Sequence, residues 1–122
     1  MSFIQPCFIR KNTPELRKKL EEFGYKYSTV GGIKSNNIVV SPGCIFDIYP
    51  VDTIKRGFNN CIDCETNEEL FLALAALRDD TDYMQWFTDG KLWEKSNSDL
   101  PSHYMQLEGH KATVEEIIEH FK

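Results

Sequence analysis

The stretch from Thr66 to Arg78 constrains this chain more than any other. Leu70 to Leu77 is an unbroken apolar run made of good helix formers. Thr66 and Glu69 stand at capping-box spacing: the hydroxyl can accept from the third helical amide while the carboxylate reaches back to the cap. A helix that is apolar on every side has to be covered on every side, so the run predicts a buried central helix. Eight apolar residues are too few to cross a bilayer, which takes about 20. The segment sets how the chain folds and carries no chemistry itself.

The other elements arrange themselves around it. Phe3 to Arg10 reads as a strand that is either an edge or begins just after Pro6, since proline cannot donate to a ladder. Thr13, Pro14 and Glu15 start a helix whose stripe is Leu16, Leu20 and Phe23, and Gly24 ends it. Tyr25 to Val30, Ile38 to Val40 and Ile45 to Tyr49 read as strands, the last two joined by a type II turn at Pro42 and Gly43. Val51 to Asn60 lacks a clean period and reads as irregular, with at most one helical turn. Cys61 to Cys64 is a short strand. Asp89-Gly90 between aromatic runs predicts a two-residue hairpin turn, with Phe87 opposite Leu92 and Trp86 opposite Trp93. His103 to Glu108 reads as a last strand. Thr113 and Glu116 form a second capping box, followed by a stripe of Val114, Ile117, Ile118 and Phe121.

Hairpins outnumber strand-helix alternations. The expected class is therefore α+β: a mainly antiparallel sheet with three helices, one of them central and buried. With 122 residues, 41% of them apolar, one domain over residues 1–122 can bury its own core. Met1 to Pro6 lack the basic flank and apolar segment of a secretory leader, so a cytoplasmic setting with reduced thiols is expected.

The net charge of −5 is unevenly spread. Residues 1–61 carry nine Lys/Arg and five Asp/Glu, a net +4, whereas residues 62–122 carry five and fourteen, a net −9. Such asymmetry can mark a partner surface or can arise from halves that face each other in one fold. The acidic total argues against nucleic-acid or anionic-membrane binding.

Few residues suggest chemistry. Cys61 and Cys64 form a Cys-x-x-Cys pair, a spacing that serves zinc or a redox disulfide. A redox pair would begin at the helix cap, but both cysteines precede Thr66. Zinc would need two more ligands, from Cys7, Cys44, His103 or His110, and two residues three apart in a strand face opposite ways. The plainer reading is small buried hydrophobes. Asp79, Asp80 and Asp82 lack the glycine and distal glutamate of a calcium loop and follow a helix C-terminus, so they read as a solvated turn. Asp89 and Lys91, with Asp47, have the residue types of a metal-dependent nuclease, but the turn explains Asp89 better. His120 reads as solvated on the outer face of the last helix. No phosphate loop or metalloprotease motif is present, and no catalytic triad can be assembled from the sequence alone.

The aromatic hairpin is the best candidate for a working surface. Tyr83, Trp86, Phe87 and Trp93 would bury much area on contact. One hairpin face should cover the central helix, and the other, with Trp86 and Trp93, should be covered by another element or offered to a partner.

The run Asn67 to Asp80, its continuation Asp82 to Asp89, and the closing Lys111 to Ile118 resemble small uncharacterised proteins of gut bacteria and their prophages. The likeness covers about half of the chain. It implies a bacterial or phage origin and a cytoplasmic setting, and no activity or catalytic residue. The sequence therefore favours a non-enzymatic protein-binding or assembly module, a homodimer or a partner of another protein, using Tyr83, Trp86 and Trp93. A zinc-binding protein using Cys61 and Cys64 is the alternative.

Overall fold

The computed structural model describes residues 3–27, 34–41, 43–79, 84–96 and 109–122. In chain order they form β1 (Cys7–Ile9), α1 (Pro14–Phe23), β2 (Lys26–Tyr27), β3 (Ile38–Ser41), β4 (Cys44–Phe46), α2 (Val51–Gly57) and β5 (Ile62–Asp63). Then come α3 (Glu68–Ala75), β6 (Trp86–Thr88), β7 (Trp93–Lys95), β8 (His110–Lys111) and α4 (Val114–Phe121). The class is α+β, with four helices among the described residues where the sequence suggested three. The expected strands at Tyr25 to Val30 and His103 to Glu108 fall partly or wholly outside the described residues, as does Pro42 of the expected turn.

Five strands make one mixed sheet in the order β2-β4-β3-β1-β5, with β1–β3 and β3–β4 antiparallel and β1–β5 and β2–β4 parallel. β1 begins after Pro6 and is internal, between β3 and β5, so the alternative of an edge strand is set aside. Its residues alternate between two cores. Cys7 and Ile9, with Ile38 and Val40 of β3, face α1 and α3 in the main core. Phe8 and Val39 face the other way and pack on Ile54 of α2. Both sheet faces are thus covered, which explains the continuous apolar runs of β1 and β3.

α2 corrects the reading of Val51 to Asn60 as irregular. Its Ile54 is buried, with Val51 and Phe58 beside it. The spacing of 51, 54 and 58 is helical, but Pro50 at the cap offers no side-chain bond, so the usual start signal is missing.

α1 follows the sequence closely. The Thr13 hydroxyl accepts from the Leu16 amide at 3.2 Å, Pro14 takes the first position, and Leu16, Leu20 and Phe23 are buried. Gly24 closes the helix at φ 110°, and a Cβ there would also touch the Phe3 ring at 3.6 Å.

The central helix is shorter than expected and its cap shifts by one residue. Asn67, not Thr66, is the cap: its Oδ1 accepts from the Leu70 amide at 3.1 Å, and its Nδ2 donates to the Phe121 carbonyl at 2.6 Å. A side chain that both caps α3 and ties it to α4 outcompetes a hydroxyl that would do only the first. At the other end α3 stops at Ala75, because tertiary bonds take over the next residues. The Tyr25 hydroxyl donates to the Ala75 carbonyl at 2.7 Å. Gln85 donates to the Ala76 carbonyl at 2.6 Å and accepts from the Arg78 amide at 3.0 Å. Ile4 donates to the Leu77 carbonyl, and Phe3 bridges to Arg78. Burial is as the apolar run required: Leu70, Phe71 and Ala73 to Leu77 are all buried, and Leu72 alone is half-buried.

The second sheet, in the order β7-β6-β8, is antiparallel. α4 packs against α3. Its capping box forms as expected, with Glu116 N–H donating to Thr113 Oγ1 at 3.2 Å and Thr113 N–H donating to Glu116 Oε1 at 3.0 Å.

Candidate functional site

The hairpin departs from its expected register. Thr88 pairs with Trp93, Phe87 with Glu94 and Trp86 with Lys95. Residues 89–92 form the loop, so the two-residue turn is corrected to a four-residue one. The Asp89 carboxylate accepts from the amides of Lys91 and Leu92, both at 2.9 Å, and Gly90 takes φ 100°. Leu92, expected opposite Phe87, is therefore exposed in the loop. The shift moves each pairing by two residues, and side chains alternate with a period of two. Trp86 and Trp93 thus remain on one face, as diagonal rather than direct neighbours.

That tryptophan face is the one that packs on the helices. Trp86 and Trp93 meet edge-on with ring centroids 6.3 Å apart. Phe121 of α4 sits 5.3 Å from Trp86 and 6.0 Å from Trp93. The expectation that the opposite hairpin face covers the central helix is thus corrected: both tryptophans are half-buried against the main core that contains α3. Phe87, on the other face, is buried as well. His120 is exposed, as expected, and its ring also stacks on Trp93 at 4.0 Å with only 15° between the rings.

Two depressions flank this aromatic seam. The larger, about 440 Å³, lies between the hairpin tip and α4 and is lined by Thr88, Gly90, Trp93, Glu115, Glu116, Glu119 and His120. The smaller, about 240 Å³, includes Leu72, Ala73 and Ala76 beside α3, with Met84, Trp86 and Phe121. In the larger groove Glu116 is already engaged. Besides closing the cap, its carboxylate meets His110 Nε2 at 2.8 and 3.0 Å. The Thr113 amide first, and His110 second, outweigh desolvation and hold the Glu116 carboxyl below its ordinary range.

The remaining candidates are dispersed. Cys64 lies in the main core with Cys7, whereas Cys61 packs beside Phe8, Val39 and Ile54 on the opposite side of the sheet. The Cys7 thiol donates to the Phe71 carbonyl at 3.8 Å and the Cys64 thiol to the Ile62 carbonyl at 3.9 Å. Burial pushes the Cys7 thiol well up and, with the neighbouring Cys64 and Asp63, pushes Cys61 up to about 12. Zinc ligation needs thiolates, and burial opposes their formation. Cys44 is half-buried on β4, and His103 lies outside the described residues. Among the described residues no group of three His, Cys, Asp or Glu is placed to hold a metal ion. Asp79 is exposed, while residues 80–82 lie outside the described set. Asp47 is fully buried and accepts from Lys34 Nζ at 2.7 Å, while Asp89 is committed to its loop.

Of the expected contact residues, then, the structure brings Trp86 and Trp93 together, and Tyr83 lies outside the described residues. Sequence reasoning missed Glu115, Glu119 and His120 as neighbours of Trp93. The amphipathic stripe of α4 was legible, but nothing in it said which element the helix would lie against. No helix among the described residues is long and apolar enough to cross a membrane.

Compared with known protein families, with curated proteins and with solved structures, the chain shows no match.

Proposed function

We propose that this chain is a non-enzymatic protein-binding or assembly module, and that its contact surface is the aromatic seam between the hairpin and α4. One observation carries the reading. Trp86 and Trp93 are only half-buried, and each lines a depression on one side of the seam. Aromatic rings in that position offer large, rigid area at little entropic cost, and they are enriched among interface hot spots. The seam lies in the acidic half of the chain, so charge can add to the choice of partner. Self-association as a homodimer is the simplest form, and Tyr83 joins the two tryptophans in this reading on the strength of the sequence alone. A cytoplasmic, bacterial or prophage setting agrees with the resemblance in the sequence, and neither nucleic acid nor membrane has a part in this reading.

Size-exclusion chromatography with light scattering tests it. The protein should run heavier than its 14.2 kDa chain mass. Trp93→Ala should return it to that mass while far-ultraviolet circular dichroism stays native. A strict monomer, in which Trp86→Ala and Trp93→Ala change stability alone, removes the support.

A further inference from the structure

The larger groove has an apolar floor and an acidic rim. Trp93 and the His120 ring stacked on it make the floor. Glu115 and Glu119, four residues apart on α4 and so on one helix face, stand at the rim with Glu116. No lysine or arginine lines the groove among the described residues. The carboxylates are not equally committed. Glu116 belongs to the cap and to His110. Glu119 meets Lys122 at 3.0 Å in an exposed i,i+3 pair, a kind worth little. Glu115 has no ion pair among the described residues.

We propose that this groove seats an arginine side chain presented by a protein partner. Its methylenes would lie against the aromatic floor and its guanidinium would face Glu115 and Glu119. The inference rests on the binding reading above and names the chemistry of the partner. A purely apolar occupant would strip water from the carboxylates and give nothing back. A compact, strongly hydrated ammonium would gain little from the floor. A guanidinium is planar and weakly hydrated, its stem is apolar, and its donors match carboxylate geometry, so it satisfies both surfaces at once. The volume of about 440 Å³ is also more than one side chain needs, which leaves room for the segment that carries it.

The probe is a capped peptide of alternating glycine and arginine, titrated into isotopically labelled protein. The readout is the Trp93 indole N–H resonance, assigned with Trp93→Phe. A saturable shift is expected, weakened by added salt and weakened about fivefold in Glu115→Gln/Glu119→Gln, as loss of two rim ion pairs implies. Equal binding by the same peptide with neutral citrulline for arginine overturns the proposal. So does an unmoved resonance, or a double variant that binds as well as the parent. Methylguanidinium binding as tightly as the peptide would make the ligand a free small cation. A resonance that moves on dilution of the protein alone, and that the arginine peptide leaves unmoved at every protein concentration, would make the occupant a second copy. Either result overturns the arginine-bearing partner. If Trp93→Ala abolishes self-association while the arginine peptide leaves the indole unmoved, the binding reading stands and this inference falls.

Discussion

At the scale of single residues, a few polar side chains hold together what the apolar ones bring near. Gln85 is 1% exposed, and its carboxamide serves both the Ala76 carbonyl and the Arg78 amide. Truncation would take a hydrogen bond from each of these backbone groups, at about 1–3 kcal/mol for a buried group left unsatisfied. Gln85→Ala should therefore lower the urea midpoint by far more than an exposed glutamine would. Thr113→Ala removes one half of the α4 capping box and should cost about 1 kcal/mol in the same assay. The cysteines give a third measurement. Cys7 and Cys64 are buried and Cys61 titrates far above neutrality, so a thiol reagent should label these three fully only after unfolding. Stoichiometric zinc in protein purified without added metal would overturn their assignment as packing residues. The sequence indicated that Cys61 and Cys64 would point to opposite faces, because strand geometry alone dictates it. It could not indicate that Asn67 rather than Thr66 would cap α3, because the deciding bond reaches Phe121 at the far end of the chain.

At the scale of elements, local signals sufficed wherever an element is closed by its own neighbours. α1 and the cap of α4 formed where the sequence put them. The hairpin shows the limit. Asp89-Gly90 marked the turn correctly, but the Asp89 carboxylate bonds two amides beyond it and widens the loop. The tryptophan pair survived the shift because the shift is even. α3 shows a second limit: its apolar run continues to Leu77, but bonds from Tyr25, Gln85 and Ile4 end the helix at Ala75. Its interior remains the most sensitive place in the fold. Leu74 is fully buried, and Leu74→Ala should cost about 2–5 kcal/mol, measurable by chemical denaturation. The parallel pair β1–β5 carries a pH signature. Arg10 bonds Asp63 at 2.5 Å across it. Burial pushes the Asp63 carboxyl up, but the Arg10 hydrogen bond, the Glu65 amide and the charges of Arg10 and Lys55 outweigh it, and the group titrates below its ordinary range. A depressed folded-state pKa stabilises above the unfolded value of about 3.9 and is lost as pH falls through the folded value. Asp63→Asn should therefore lower stability at neutral pH, and the difference from the parent should vanish in acid.

At the scale of the whole molecule, α3 joins two sheets of unequal substance. The five-stranded sheet has both faces covered, by α1 and α3 on one side and α2 on the other. The three-stranded sheet is held by short pairings and by the aromatic seam. Native-state hydrogen exchange should be slowest in β1, β3 and α3 and should reach its fast limit first in β7 and β8. Equal protection in both sheets would show that they open as one unit. The class of fold was legible because apolar periodicity is a local property. The meeting of α4 with the hairpin, which makes the groove, was not, because it depends on which two surfaces remain when everything else has packed.

The strand order also bears on how the chain is made. β1 is internal, but its partners β3 and β5 begin at Ile38 and Ile62, so its apolar residues leave the ribosome well before anything can cover them. The large sheet has all its strands once Asp63 has emerged, whereas β6 waits for β8 at His110 and for the helix behind it. A nascent chain stalled between these points would carry a complete first sheet and a bare two-stranded ribbon, which is marginal on its own. Trp86 and Trp93 would then be open to whatever meets the chain first, before α4 arrives to cover them.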